Sequence, residues 1–275
     1  MKKFEGKRVF VTGAGSGFGR AIALEFARMG WKVGIGDIAM DRAEETRKLV
    51  DAAGGTGLVI NCDVTKEENL QKAADLLLAS WGGVDVVVNN AGVAGAGRIE
   101  CIPEDQWDWI IALNLKSVIY GCKIFTPIME KQGGGHFINM ASSAGIACLP
   151  EMSCYNVTKA AVISLSETLR TELGPKNIGV TVVAPTFFAS NLMDSFRSTD
   201  ERQRKMANKF FERSKATAEQ VAHHAVKTMM KDRLYSIYQM DGKFVWLMKR
   251  LFPETYYNII RKGYSKKSIK KAMGM

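Results

Sequence analysis

Apolar runs of strand length alternate along the chain with longer stretches in which apolar positions recur every three or four residues. Arg8–Thr12, Lys32–Asp37, Leu58–Val64, Val84–Asn89, His136–Ala141 and Val180–Ala184 read as strands. Their apolar residues are continuous rather than alternating, the pattern of a sheet covered on both faces. Between them, Arg20–Met29 sets Ile22, Ala23, Phe26 and Ala27 on one side of a helix, and Asp41–Ala53, Glu67–Trp81, Pro103–Glu130 and Ser153–Leu173 have a similar period. Strand–helix repetition at this spacing predicts an α/β fold, a Rossmann-like doubly wound parallel sheet with right-handed crossovers. No repeat or Pro/Ser-rich linker divides it. The expected organisation is a single domain over residues 1–242 and an amphipathic, basic extension over 243–275.

Composition adds little until charge is mapped. The 275 residues are 47% apolar and 24% charged, which excludes wholesale disorder. The net charge of +10 is unevenly placed: residues 1–200 carry 20 Lys+Arg against 22 Asp+Glu, and residues 201–275 carry 18 against 6. A nucleic-acid groove across the body is therefore disfavoured. Glu5, Lys7 and Arg8 interrupt the N-terminus before any apolar core of export-signal length, and Gln132–Pro150, though uncharged, is too polar to span a membrane. Cys62, Cys101, Cys122, Cys148 and Cys154 are scattered without a Cys-x-x-Cys, as reduced thiols of a cytoplasmic protein would be. His136, His223 and His224 lack metal-ligand spacing, so no metal site is expected.

The first strand–helix junction reads Thr12-Gly13-Ala14-Gly15-Ser16-Gly17-Phe18-Gly19. Glycines there let the backbone approach a pyrophosphate, and the helix N-terminus offers it free N–H groups and a positive dipole end. The common G-x-G-x-x-G spacing fails at Phe18; the spacing that holds is Gly13, Gly17, Gly19. A lone Gly-rich turn also serves any loop needing positive φ, and the flanking strand and helix raise its meaning. Asp37, followed by Ile38, closes the second strand. A carboxylate there accepts hydrogen bonds from both ribose hydroxyls and repels a 2′-phosphate, favouring NAD over NADP. Arg42 is the nearby residue that weighs the other way.

Tyr155 and Lys159 lie four apart in a helical segment and project from one face. A phenol with a pKa of roughly 10 is a poor base at neutral pH, and a neighbouring ammonium is expected to bring it down. By itself this pair is a common accident of amphipathic helices. Ser142 follows the end of the His136–Ala141 strand, and Asn89-Asn90-Ala91-Gly92 follows Val84–Val88, where parallel sheets bind ligands. Asn114 sits mid-helix, where its amide is a poor helix former and needs a reason to be.

Together these residues resemble the short-chain dehydrogenase/reductase family over about residues 6–242, through Thr12–Gly19, Asp63-Val64, Asn89–Gly92, the Ser142/Tyr155/Lys159 set and Pro185–Ser190. The resemblance implies that Tyr155 exchanges the proton with the substrate oxygen while hydride moves to or from a nicotinamide. It implies that Lys159 binds the nicotinamide ribose and lowers the phenol pKa, and that Ser142 hydrogen-bonds the carbonyl oxygen. Asn114 would keep a helix irregularity and a water leading to Lys159. Gly13, Ser16, Gly17, Phe18, Gly19, Asp37, Ile38, Asp63, Val64, Asn90, Ala91, Gly92, Pro185 and Ser190 would contact the cofactor. The chain departs from the family pattern at Ala141, usually Ser, and at Thr186, usually Gly; Ser190 replaces a common Thr and keeps its hydroxyl.

Specificity would come from Val93–Arg98, Gly145–Met152 and Phe187–Phe211, with Ile146, Leu149, Met152, Phe187, Phe188, Leu192, Met193 and Phe196 forming an apolar, Met-rich wall. Residues 187–213 would act as a lid. About half of these apolar residues are expected simply to pack the lid on the body. Arg98 and Arg197 are the candidates for binding a carboxylate. The expected activity is hydride transfer between NAD(H) and a lipophilic secondary alcohol, ketone or aldehyde of steroid or fatty kind. The alternative is a non-catalytic nucleotide sensor or membrane scaffold, against which the paired acid and hydroxyl groups argue. The resemblance also implies a homodimer or homotetramer, through Pro103–Glu130 and Ser153–Leu173. In the extension, Phe244, Val245, Leu247, Met248, Leu251 and Phe252 recur at helical spacing, Pro253 breaks the pattern, and Lys266, Lys267, Lys270 and Lys271 follow. Residues 244–271 have three open fates: packing on protein over the substrate entrance, peripheral contact with an anionic membrane, or a solvated charged end.

Overall fold

A computed structural model describes residues 4–189 and 191–264. β1 (Arg8–Thr12) pairs in parallel with both β2 (Lys32–Asp37) and β4 (Val86–Asn89). The sheet extends past β2 to β3 (Thr56–Asn61), and past β4 to β6 (Gly135–Met140), β7 (Ile178–Val183) and β9 (Tyr235–Ser236), giving the order β3-β2-β1-β4-β6-β7-β9. β5 (Gly95–Ala96) and β8 (Arg197–Ser198) form a separate parallel pair. Alternation along β1 shows why its run is continuously apolar. Val9 and Val11 enter the core under α1 (Gly17–Ala27), α2 (Met40–Ala52) and α9 (Ala218–Met230), beside Ile22, Phe26 and Val221. Phe10 enters the opposite core under α3 (Glu67–Trp81), α5 (Ser117–Lys131) and α7 (Ser153–Leu173), with Leu77 and Phe125. Each such side chain removed from water contributes about 1.5–3 kcal/mol, so the sheet is held from both faces. The remaining helices are α4 (Glu104–Ile111), α6 (Ala144–Ala147), α8 (Glu201–Arg213), α10 (Met240–Leu251) and α11 (Pro253–Gly263).

The doubly wound parallel sheet is the architecture expected, with five local differences. The strand read as Leu58–Val64 begins at Thr56 and ends at Asn61, because its partner β2 runs from Lys32 to Asp37. The first helix starts at Gly17 rather than Arg20, so the glycine turn feeds directly into it. The single helix expected over Pro103–Glu130 is two, joined by a π-helical turn at Ala112–Lys116 with Asn114 in its middle. β9 was not anticipated; two residues are too short to show a period. α10 runs straight through Gly242, where the sequence suggested a boundary. Among the described residues no helix is long and apolar enough to cross a membrane.

Candidate active site

The strand order reverses between β1 and β4, and there the chain ends of two strands are locked together. Thr12 Oγ1 accepts from Asn90 N (2.9 Å) and Ala91 N (3.1 Å), and Asn90 Nδ2 donates to the carbonyls of Thr12 (2.8 Å) and Gly13 (3.2 Å). Gly13 and Gly17 have φ of +63° and +51°, in the left-handed region that favours glycine. A Cβ at Gly19 would stand 2.1 Å from the Gly13 carbonyl oxygen, so only glycine lets α1 begin this close to the turn. Ser16 caps α1 without a side-chain hydrogen bond, and no acidic residue occupies the first turn. The N-terminal N–H groups of α1 are therefore left for an anion.

This turn forms one end of a cavity of about 490 Å³, walled there by Gly13, Ser16, Gly17, Phe18 and Gly19. Asp37 and Ile38 line the same end. The Asp37 carboxylate accepts from Gly15 N (2.7 Å) and Ala39 N (2.9 Å), which fixes its direction while leaving acceptor capacity. Arg42 also lines this end, 3.7 Å from the Asp194 carboxylate. Asn90, Ala91, Gly92 and Pro185 line the cavity further along. Asp63 and Val64 do not: Val64 is buried in the core, and Asp63 Oδ1 accepts from Thr65 N (3.0 Å) and Thr65 Oγ1 (2.6 Å). Ser190 lies outside the described residues. A dinucleotide fits this arrangement, because the cradle is one that added Cβ atoms would fill and the helix end above it has no side-chain cap or acidic first-turn residue among the described residues.

Ser142, Tyr155 and Lys159 meet on the cavity wall beyond Gly92. Ser142 reaches it from the end of β6, and Tyr155 and Lys159 from successive turns of α7. The approach of these elements depends on Gly145, whose Cβ would fall 2.5 Å from the Lys159 carbonyl carbon. Asn114 stands behind them. Its Oδ1 accepts from Val93 N (2.8 Å), and its Nδ2 donates to Val93 O (2.9 Å) and Thr158 Oγ1 (3.2 Å). The buried amide thus binds the strand-side backbone across from α7, which gives the π turn its reason.

Electrostatics here differ from the expectation that Lys159 lowers the phenol pKa. Burial pushes Tyr155 up to about 12, opposed only by a hydrogen bond from Ser142. Burial also brings Lys159 down to about 8. The lysine Nζ donates to the Met140 carbonyl at 2.9 Å and lies 5.8 Å from the centre of the Tyr155 ring. Desolvation disfavours both charged forms, and the ammonium is directed at a carbonyl rather than at the phenol oxygen. Spacing along the helix was enough to bring the two residues together; it carried no information about how dry the site is.

The other end of the cavity is apolar, with Val93, Leu149, Met152, Phe187, Leu192 and Phe196 among its walls. Trp109, Leu113 and Ala207 also line it and were not singled out from sequence. Ile146 belongs instead to the core between α7 and the sheet, and Met193 packs in the cluster beneath the lid. Neither candidate arginine lines the cavity: Arg98 pairs with Glu100, and Arg197 stacks on Trp109 at 3.9 Å. Among the described residues no group of His, Cys, Asp and Glu is placed to hold a metal.

The extension closes over the loop that follows Ser142. Lys249 Nζ donates to Ile146 O (2.6 Å), and Tyr256 OH donates to Ala147 O (2.9 Å). Glu151 gathers three side chains from two elements: Arg202 of α8 on both oxygens (2.9 and 2.8 Å), Gln203 Nε2 of the same helix (3.1 Å) and Tyr264 OH at the end of α11 (2.8 Å). Of the fates open to residues 244–264, packing on the chain's own body is the one observed.

Known proteins give the same picture. The sequence model for short chain dehydrogenase matches residues 7–201. EphD of Mycobacterium tuberculosis is 39% identical over 186 residues, 67% of this chain and 31% of that longer protein. The chain thus spans about a third of that relative's length. SadH of the same organism is 30% identical over 97% of this chain and 98% of its own. A crystallised short chain dehydrogenase/reductase from Burkholderia phymatum, solved in complex with NAD, superposes with a TM-score of 0.86 at 29% identity, covering 93% of this chain and 96% of that one. Because the family match runs unbroken through the glycine turn, the Ser142 loop and the Tyr155 helix, the chain belongs to the short chain dehydrogenase family.

Proposed function

We propose that the protein is an NAD(H)-dependent oxidoreductase that interconverts a lipophilic secondary alcohol with its ketone, or with an aldehyde counterpart. One observation carries this reading: Ser142, Tyr155 and Lys159 converge on one wall of a cavity with a phosphate cradle at one end and an apolar chamber at the other. When bound, the nicotinamide supplies the hydride donor or acceptor. Tyr155 holds a proton at its Oη and delivers it to the substrate oxygen during reduction. Ser142 donates to that same oxygen and keeps it in line with the phenol. Lys159, fixed by the Met140 carbonyl, presents its ammonium to the ribose, and a charge brought near the phenol would assist loss of the tyrosyl proton. Asn114 holds the Val93 backbone and α7 in register beneath these groups and is a positioning residue.

The NAD complex of the Burkholderia phymatum relative supports the cofactor assignment. Asp37, held by two backbone N–H groups at the cradle end, supports NAD over NADP, because a 2′-phosphate would meet its charge. The aromatic and aliphatic walls support a lipophilic substrate. Assembly through α4, α5 and α7 is part of the proposal, supported by the exposed Ile119 and Val157 on α5 and α7. The experiment is turnover of a panel of steroid, fatty and small ketones with NADH or NADPH, by the wild type and by Tyr155→Phe. The variant should lose at least ~100-fold in turnover yet bind NADH within about twofold of wild type. Retained turnover refutes the role of Tyr155, and tighter binding of NADPH refutes that of Asp37.

A further inference from the structure

α10 docks on the body through one side only. Gly242 is buried, Val245 packs against the core, and Lys249 bonds to the Ile146 carbonyl. On the opposite side Met240, Phe244, Leu247 and Leu251 follow each other at helical spacing, and all four are exposed. Met240 and Phe244 are 75% and 64% exposed, so most of their apolar surface is left in water. Phe252 and Ile259 continue the apolar surface toward α11. Lys243 and Arg250 occupy the row beside the stripe, and exposed Arg261 and Lys262 follow on α11. Between residues 240 and 264 the only acids are Asp241 and Glu254, and the sequence beyond adds Lys266, Lys267, Lys270 and Lys271 without an acid. α8, joined to Tyr264 at the end of α11 through Glu151, also carries exposed Met206 and Lys209, while its Phe210 stacks on Phe187 and its Lys205 pairs with Glu201.

We infer that the α10–α11 face is a docking surface for an anionic lipid bilayer, with the stripe dipping into the interface and the basic row meeting headgroups. Charge decides between this partner and a second copy of the chain. A two-fold self-contact would set Lys243 and Arg250 against their own equivalents with almost no acid to offset them, whereas an anionic headgroup layer complements every one. An apolar stripe flanked by Lys and Arg is also the pattern of helices that lie in a membrane plane. The inference does not depend on the substrate proposed above. It is tested by flotation of the full chain with vesicles of phosphatidylcholine alone and of phosphatidylcholine mixed with phosphatidylglycerol. The protein should float with the anionic vesicles, stay behind with the neutral ones, and be released by high salt. Phe244→Glu/Leu247→Glu should weaken binding at least ~10-fold, and Lys243→Glu/Arg250→Glu by a similar factor. All four positions are exposed, and circular dichroism confirms folding of each variant. Failure to float with anionic vesicles, or equal flotation of the stripe variant, overturns the inference. So does a drop in oligomer mass in the stripe variant by light scattering, which would assign the face to contacts between copies.

Discussion

Gly19→Ala sets two opposed effects against each other at the cofactor cradle. Gly19 lies in α1, and replacing a helical glycine by alanine ordinarily stabilises by up to ~1 kcal/mol. Here the added methyl would sit 2.1 Å from the Gly13 carbonyl oxygen and 2.6 Å from Asn90 Nδ2. Neither neighbour is free to yield. The carbonyl belongs to the backbone of the turn, and the amide is the clamp that ties β1 to β4. Relief requires α1 to retreat by more than ~1 Å, at the roughly 1–3 kcal/mol typical of overpacking, plus about 1 kcal/mol for each clamp bond lost. The clash outweighs the helix propensity, so a net destabilisation of about 1–3 kcal/mol is expected, a fall of several degrees in Tm. Affinity for NADH should fall further, by up to ~100-fold, because the displaced N–H groups are those that would face the pyrophosphate. Thermal unfolding and fluorescence titration with NADH measure the two effects. Gly263→Ala in α11, with nothing within 4 Å of its Cβ position among the described residues, serves as the control and should be neutral or slightly stabilising. If Gly19→Ala behaves like the control and binds NADH normally, the cradle is not where the close approach of α1 places it.

Two further predictions concern the buried lysine and the Glu151 junction. Burial lowers Lys159 from the ordinary 10.5 to about 8, so above about 8 the folded lysine releases its proton while the unfolded one keeps it. Stability should therefore rise by roughly 1–3 kcal/mol between pH 8 and 10, a rise that Lys159→Met should abolish in urea titrations; parallel wild-type and variant curves would contradict it. Above pH 10 Tyr155, held up at about 12, acts in the opposite sense, which closes the window. Glu151→Gln should loosen the lid, and with Arg202 one-third exposed the loss is discounted to about 1 kcal/mol, or ~5-fold. Limited proteolysis within residues 187–213 should quicken by that factor and KM should rise, with kcat changed less; unchanged proteolysis would place the lid's anchor elsewhere.

What could be read from sequence depended on whether the property was local. Arg8–Thr12, Lys32–Asp37, Glu67–Trp81 and Ser153–Leu173 are bounded in the structure as their patterns suggested, because period and capping are properties of neighbouring residues. Tyr155 and Lys159 share a helix, so their meeting was legible; their titration was not, because it is set by how thoroughly distant elements exclude water. Ile146 shows the same limit. Its apolar character was plain, but whether it faced the cavity or the core depended on α6 packing against α7 at Gly145. Asn114 was conspicuous as a poor helix former, and the structure supplies its partner, the Val93 backbone 21 residues away.

Glu151 was missed although it left a signal. It is the sole carboxylate between Lys131 and Lys159, in a stretch otherwise free of Asp, Glu, Lys and Arg. A lone charge in such surroundings must find a partner or remain in water. Here it finds Arg202, Gln203 and Tyr264, from the lid and from the end of the extension. Thr186, the residue standing where the family usually has glycine, makes the companion link: its N–H donates to Gln239 Oε1 at 3.2 Å, just ahead of α10. The segment expected to act as a lid is therefore tied at its start to Gln239, just ahead of the extension, and near its middle, through Glu151, to Tyr264. If residues 187–213 act as the expected lid, its anchors lie partly in residues 239–264, so the extension would take part in access to the site while its outer face remains open for a partner.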